Sequence, residues 1–333
     1  MNKNNIKITL GEIRKLVFDI CIKHGCDQVN ANALSNTITK AEEDGSSSHG
    51  LFRLPGYIAS LKSGKVNGKA APKVTNKTPV ILNCDADNGF ASMAHEVSLA
   101  LLADAAKVNG IATLSISGCY HFAALWPETE FLSEKGLIGL ACTAFKPSVA
   151  PAGSKEPFFG TNPISMSWPR KGNNPVVFDM ATSSLALGDV QIAARDGHEL
   201  PVGTGIDANG NATTDPNQVL KGMLLPFGGY KGSHLSMMIE LLAGPLVGET
   251  TSDITEENNI DDGGPPLGGQ FILAMSPNII SGLDDWDKNA EPFINKLSNL
   301  KGVRMPGKRR HINRSSLENI EVNSDLLNKI YSL

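Results

Sequence analysis

The chain has little of what marks a specialised class of protein. Aromatic residues fill only 6% of its 333 positions, and its five cysteines (Cys21, Cys26, Cys84, Cys119, Cys142) are odd in number with no CxxC pair. That argues against a disulfide framework. Free thiols buried in a reducing compartment are expected instead, because most of the five sit in apolar runs. No apolar run approaches the roughly 20 residues that cross a bilayer, and the opening MNKNNIKITL holds no hydrophobic segment long enough for a signal peptide. A cytoplasmic protein with no membrane partner is expected. Basic residues are not in excess either. A net charge of −4 argues against nucleic acid as the main partner, and the one basic cluster, Lys308-Arg309-Arg310-His311, is short.

Several nucleotide and catalytic signatures are also missing. Gly203-Thr204-Gly205 continues as Ile-Asp-Ala, without the third glycine or following helix of a GxGxxG turn. There is no Walker A sequence, no HExxH and no GxSxG. A standard Rossmann domain or P-loop is therefore disfavoured, and any nucleotide must sit on a different scaffold. No histidine or cysteine falls at metal-ligand spacing, so no metal is expected.

What is present is an ordinary soluble composition, 41% hydrophobic and 19% charged, over a length that suits two domains or one elaborated α/β unit. Thr9 to Glu12 reads as a capping box before Ile13, Leu16, Val17 and Ile20. Further helices are expected over about 31–43 and 49–64. A Pro/Lys-rich linker, Lys69–Thr78, follows. Beyond it, strand-like PVILNCDA, IATLSISG, LIGLACTAF, NPISMSWP, PVVFDMA and GQFILAMS alternate with helical stretches, which argues for α/β with a substantial sheet. Residues 196–222 and the acidic 249–269 stretch read as loops.

The densest chemistry lies at Ser48-His49-Gly50, with Arg53 one turn later. A histidine there can hold or release a proton near neutral pH, and an arginine can grip a carboxylate with two prongs. By themselves these residues read equally as a helix cap and a surface charge. Asp189 sits among Leu185, Ala186, Leu187, Val190 and Ile192, an apolar setting costly for a lone carboxylate. It is either half of a salt bridge or a partner that orients the Ser48/His49 pair. His121 lies at a strand-to-helix turn beside Phe122, Leu125 and Trp126. Gly160-Thr161-Asn162 forms a turn entering a strand. Gly228, Gly229, Lys231 and Gly232 open a helix, a ready place for phosphate.

Taken in order, SHGLFRLPGY, KPSVAPAG, GTNPISMSWP, VVFDMATS, TTDP and LLPFGGYKG resemble the malate/L-lactate dehydrogenase family, also called sulfolactate dehydrogenase-like, over nearly the whole chain. HFAALWPETE and LGDVQIAARDG look most like its Δ1-piperideine-2-carboxylate/Δ1-pyrroline-2-carboxylate reductases. The resemblance implies an α/β fold in which a non-Rossmann NAD(P)-binding sheet domain packs with a helical domain. Residues 1–75 would form the helical domain, 76–300 the sheet domain, and 301–333 a segment returning to the first. It implies NADPH-dependent reduction of a cyclic imino acid to L-pipecolate or L-proline, with NADH as the alternative cofactor, in a homodimer. His49 would donate the proton, with Ser48 and Asp189 as relay partners, and Arg53 and Thr161 would hold the substrate. His121, Phe122, Ala123, Ala124, Leu125, Asp179, Met180, Ala181, Tyr230, Lys231, Arg304, Pro306, Gly307, Arg309 and Arg310 would meet the cofactor. The rival readings are a 2-hydroxy-acid dehydrogenase using the same residues on a 2-oxo acid, and a non-catalytic nucleotide-binding protein.

Overall fold

Thr9 fixes the start of the first helix. Its hydroxyl accepts the Glu12 N–H while the Glu12 carboxylate accepts the Thr9 N–H at 2.8 Å, a reciprocal cap. In the computed structural model, which describes residues 5–257, 259–316 and 319–333, a strand β1 (Asn5–Thr9) precedes this helix, α1 (Leu10–Lys23), and α2 (Gln28–Glu43) packs against it. Two 3-10 turns, Ser47–His49 and Leu51–Arg53, then lead into α3 (Leu54–Ser63), which ends at a left-handed Gly64. The helix expected from His49 begins only at Leu54. Pro55 is tolerated in the first helical turn but not further in, so the α-helix cannot extend back to residue 49.

The seven-stranded sheet draws on β2 (Lys73–Thr78), β3 (Ile81–Asp85), β4 (Ile111–Tyr120), β5 (Ile138–Thr143), β6 (Ile164–Trp168), β7 (Val176–Met180) and β11 (Leu267–Met275), in the order β2-β3-β4-β11-β5-β6-β7. Only β3–β4 is parallel; the other five pairings are antiparallel. This is not the parallel sheet on which a GxGxxG turn operates. Helices α4 (Ala91–Asn109) and α5 (Trp126–Glu134) pack on it. The segment read as a linker is in part strand: β2 pairs with β3 from Lys73 onward, so the boundary drawn after residue 75 cuts through it. Both faces of this edge strand are largely exposed, which is why its sequence looked like a linker.

Residues 187–257 carry α6 (Leu187–Asp196), α7 (Pro216–Lys221), α8 (Tyr230–Ala243) and α9 (Ser252–Glu257). Within the expected 196–222 loop, β8 (Gly205–Ile206), β9 (Ala212–Thr213) and β10 (Met223–Leu224) form a small sheet, and α9 lies in the expected 249–269 loop. Strands of two residues are too short to show periodicity. After β11 come α10 (Pro277–Ser281), α11 (Ala290–Ser298), α12 (Lys308–Ser316), β12 (Asn319–Asn323) and α13 (Ser324–Tyr331). The tail recrosses the molecule: β12 pairs antiparallel with β1, and Ile320, Val322, Leu327 and Ile330 complete the core built on Ile13, Val17, Leu34 and Ile38. Phe90, just before α4, and Tyr120, at the end of β4, enter this same core and join the sheet to the helical layer.

Glu42 pins the turns that bear His49 and Arg53. Only 5% exposed, it accepts the Leu51 N–H on Oε1 at 2.7 Å, and a Cβ at position 50 would stand 2.1 Å from that oxygen, so residue 50 must be glycine. Burial pushes the Glu42 carboxyl from 4.5 to about 7, with the Leu51 N–H opposing. The folded protein therefore holds this proton more tightly than the unfolded chain does. The resulting stability is full below pH 4.5 and is lost as pH rises through about 7. Glu42→Gln keeps the acceptor without the charge. Urea denaturation across this range should show a flatter pH dependence for the variant, with a gain over wild type of up to about 3 kcal/mol at pH 8. A variant as pH-sensitive as wild type would acquit the carboxyl.

Candidate active site

The two 3-10 turns present His49 and Arg53 to one cleft, whose walls also include His121, Phe122, Thr161 and Leu187, with Ser48 buried behind His49. Ser48 Oγ and His49 Nδ1 lie 3.1 Å apart, within hydrogen-bonding distance. Burial pushes the His49 imidazole down to about 3, followed by the positive charges at Arg53 and His121, so its ring is neutral at neutral pH in the open cleft. Arg53 is 8% exposed, yet among the described residues its guanidinium has no carboxylate in hydrogen-bonding contact. Nη1 donates to Gln191 Oε1 at 3.2 Å, and Nε is buried without a partner among the described residues. The plane rests over Phe122 at 4.3 Å, and Phe122 stacks on Phe145 and meets Tyr57 edge-on. Burial lowers the group to about 10, against Tyr57 and Asp189, which raise it; it stays charged. A fixed, desolvated cation on an aromatic floor is a receptor for a small anion.

Helix α6 closes the other side. A Cβ at Gly188 would stand 2.3 Å from Arg53 Nη2 and 3.1 Å from Ser48 Cβ, so segments more than a hundred residues apart in sequence meet without a side chain between them. Asp189 corrects the reading of its surroundings. It is exposed, because successive helical side chains diverge and only Val190 turns into the core. It lies within the electrostatic reach of Arg53, but no hydrogen bond joins it to Ser48 or His49 among the described residues. Gln191, which does contact Arg53, went unnoticed in the sequence. Its position one turn after Gly188 is informative only once α6 is known to face these turns.

Around the cleft, most residues expected to meet a cofactor form two groups. In the first, the half-buried Asp179 carboxylate accepts the Leu125 and Trp126 N–H groups at 2.8 and 2.9 Å and so fixes the turn His121, Phe122, Ala123, Ala124, Leu125. Burial raises Asp179 to about 6, opposed by those two bonds. Met180 and Ala181 follow it, half-buried. Arg310 donates to the Val177 carbonyl at 2.8 Å and lies over Trp126, and Gly307 takes a left-handed turn against Val177. Arg304, Pro306 and Arg309 remain exposed outside this edge. In the second group, Gly228 and Gly229 are left-handed and α8 starts with no side-chain cap, leaving Tyr230 and Lys231 exposed at a free helix N-terminus. The Thr182 N–H bonds to the Thr161 carbonyl at 2.8 Å and the Phe227 N–H to the Thr182 carbonyl at 3.0 Å, tying that helix end to the substrate wall. An uncapped helix end beside a lysine, with exposed arginines further round, fits a phosphate-bearing cofactor.

His95 had no partner at ligand spacing in the sequence. The fold brings it to Glu128 and His121, so that His95 Nε2 and His121 Nε2 lie 3.4 and 3.3 Å from Glu128 Oε1. No sequence signal links a residue of α4 to one of α5.

A family model described as malate/L-lactate dehydrogenase matches residues 8–331. The chain is 42% identical over 317 residues to the Δ(1)-pyrroline-2-carboxylate reductase of Ancylobacter novellus, covering 92% of this chain and 90% of that one. It is 41% identical over 313 residues to the Δ(1)-pyrroline-2-carboxylate/Δ(1)-piperideine-2-carboxylate reductase of Pseudomonas aeruginosa, with 92% of each covered. Among solved structures, the Δ1-piperideine-2-carboxylate reductase of Pseudomonas syringae superposes with a TM-score of 0.91 at 40% identity, covering 98% of this chain and 99% of that one. The sulfolactate dehydrogenase of Methanocaldococcus jannaschii gives 0.87 at 27% identity, covering 98% and 96%. A mixed-sheet α/β fold, a common length and identities of this size carry one conclusion: the chain belongs to the malate/L-lactate dehydrogenase family.

Proposed function

We propose that this protein reduces a cyclic imino acid, Δ1-pyrroline-2-carboxylate or Δ1-piperideine-2-carboxylate, to L-proline or L-pipecolate. The observation that carries the reading is Arg53, a desolvated cation with no carboxylate in hydrogen-bonding contact among the described residues, sharing the cleft wall with the His49 imidazole. A small carboxylate completes it, and the roughly 40% identity to imino acid reductases selects the imine over a 2-oxo acid.

A bound nicotinamide cofactor, which we take to be NADPH, supplies the hydride that C2 of the substrate receives. Arg53 fixes the substrate carboxylate and Thr161 bounds the ring, which turns binding energy into orientation. Burial and, after it, the Arg53 charge hold His49 unprotonated; the substrate's negative charge offsets the second of these, so His49 gains basicity as substrate binds. His49 then passes a proton to the ring nitrogen, and Ser48 keeps its Nδ1 in register. Asp189 acts through the field at Arg53. The turn at 121–125, Asp179, Met180, Ala181 and the 304–310 segment, with Tyr230 and Lys231, would hold the cofactor, and the exposed Arg304 and Arg309 would suit an added phosphate. We place the enzyme in the cytoplasm, where its five buried free cysteines stay reduced; among the described residues no helix is long and apolar enough to cross a membrane.

We further propose a homodimer. Tyr230, Met237, Met238 and Leu241 are all exposed along one stripe of α8, continued by Leu246 at 59% exposure, an apolar surface suited to a second copy.

Following NADPH and NADH oxidation with pyrroline-2-carboxylate, piperideine-2-carboxylate, oxaloacetate and pyruvate in parallel should show turnover with the imines and a preference for NADPH. His49→Ala should cut kcat by about 10²–10⁴-fold, whereas Arg53→Ala should mainly raise the substrate KM. Wild-type turnover by the His49 variant would remove it from the proton path. Gly188→Ala is a sharper probe: the new methyl displaces Arg53 and should lower kcat/KM by up to about 10²-fold while Tm barely changes, since alanine favours the helix. Light scattering on the purified protein should give twice the 35.4 kDa chain mass; a monomer would refute the dimer.

A further inference from the structure

Behind the substrate cleft lies a buried polar array that the reaction as described does not use. Glu128 is 2% exposed, and its Oε1 accepts from Gln270 Nε2 at 3.2 Å while facing His121 Nε2 at 3.3 Å and His95 Nε2 at 3.4 Å. Burial works to raise this carboxyl, but His95 and then His121 outweigh it and bring it below the usual carboxylate range. A buried carboxylate between two imidazoles is costly unless hydrogen bonds or charge offset it, and burial in turn pushes the His95 ring down, against Glu128, which raises it. Its two ends face different spaces. His121 lines the substrate cleft with His49 and Arg53, whereas His95 and Glu128 line a second cleft between α2 and α4–α5, of about 710 Å3. Glu128 Oε2 has no partner among the described residues.

The ligand atoms of His95, His121 and Glu128 lie within 4.8 Å of one another, a spacing an ion could also use. Gln270 argues otherwise: its Oε1 lies 2.6 Å from His95 Nε2, occupying the atom a metal would need, and its amide donates to Glu128. The set is closed by hydrogen bonds.

Resting on the reductase reading above, we propose that His95, Glu128 and His121 form a proton relay that resupplies the substrate cleft from the second cleft. Each turnover forms a C–H bond at C2 from the hydride and an N–H bond at the ring nitrogen from a proton on His49. His49, unprotonated in the open cleft, recovers that proton from His121 across the bound substrate. His121 takes its replacement through Glu128 and His95, and these take theirs from water in the second cleft. Per turnover one imine, one hydride and one proton become one amine. The other charged or titratable groups around the array are Arg53 and Tyr57 on the cleft side, Glu96 on α4 and Asp179 on β7. Glu128 and His95 are positioning residues in this scheme, since neither touches the substrate.

The test is steady-state kinetics of Glu128→Gln, which keeps the shape but cannot carry a proton. Expected are a fall in kcat of about 10-fold or more, KM for substrate and NADPH within twofold of wild type, a larger solvent deuterium effect on kcat, and recovery on adding imidazole buffer. Glu128→Asp should restore part of the rate. His95→Asn, at the outer end, should show the same pattern more weakly and serves if Glu128→Gln fails to fold. Unchanged kcat and pH profile in a folded variant would overturn the relay. So would a loss that imidazole does not relieve, or a wild-type enzyme inactivated by EDTA, which would mean an ion. A wild type that reduces no imine would instead refute the proposed function.

Discussion

An arginine side chain kept from water without an acid to neutralise it is the constraint on which this site depends. Removing a guanidinium from solvent is expensive, and Arg53 recovers part of that through Phe122 beneath it and Gln191 at one prong. Neither neutralises the charge. In the proposed reading, the remaining cost is what a substrate carboxylate relieves on binding, and that would favour anions without any contact to the rest of the ligand. The same charge depresses His49. Substrate capture and proton affinity are thus two readings of one electrostatic balance.

That balance requires parts of the chain far apart in sequence to hold one another in place. The turns carrying Ser48, His49 and Arg53 hang from α2 through Glu42, and the tail locks α2 from outside. Arg314 on α12 pairs with the fully buried Asp44 at the end of α2 and also with Glu130 of α5 at 2.5 Å, while Asp44 accepts the Trp126 indole N–H at 2.6 Å. One carboxylate therefore joins the helical layer, the sheet's helix α5 and the carboxy-terminal segment. The pairing of β12 with β1 acts in the same direction. Loosening the tail would relax the turns before it reached the sheet core.

Local signals in the sequence were read well, and juxtapositions were not. The Thr9–Glu12 cap, the helix stop at Gly64 and the alternating strands are written in neighbouring residues, and the structure contains them. The start of α3 was misplaced because the turn geometry around Gly50 depends on Glu42, nine residues before Leu51. The apolar neighbours of Asp189 suggested burial because linear proximity says nothing about which way a helical side chain faces. Gln191, Phe145 and the Glu128 array were missed for a common reason. Each acts through a partner supplied by another element, and a single sequence carries no record of that pairing.

Two histidines share the cleft, in different surroundings. His49 has a hydroxyl at one nitrogen and a guanidinium nearby; His121 has a buried carboxylate. Since the charge on His121 itself lowers His49, the pair carries one proton more readily than two. A reaction that uses one proton per turnover needs no more than that. What it does need is a difference between the two sites that substrate binding can shrink, so that the proton moves toward the reacting nitrogen only when a carboxylate sits on Arg53. The unequal surroundings of the two rings supply that difference, and the single cation between substrate and imidazole is the element that changes it.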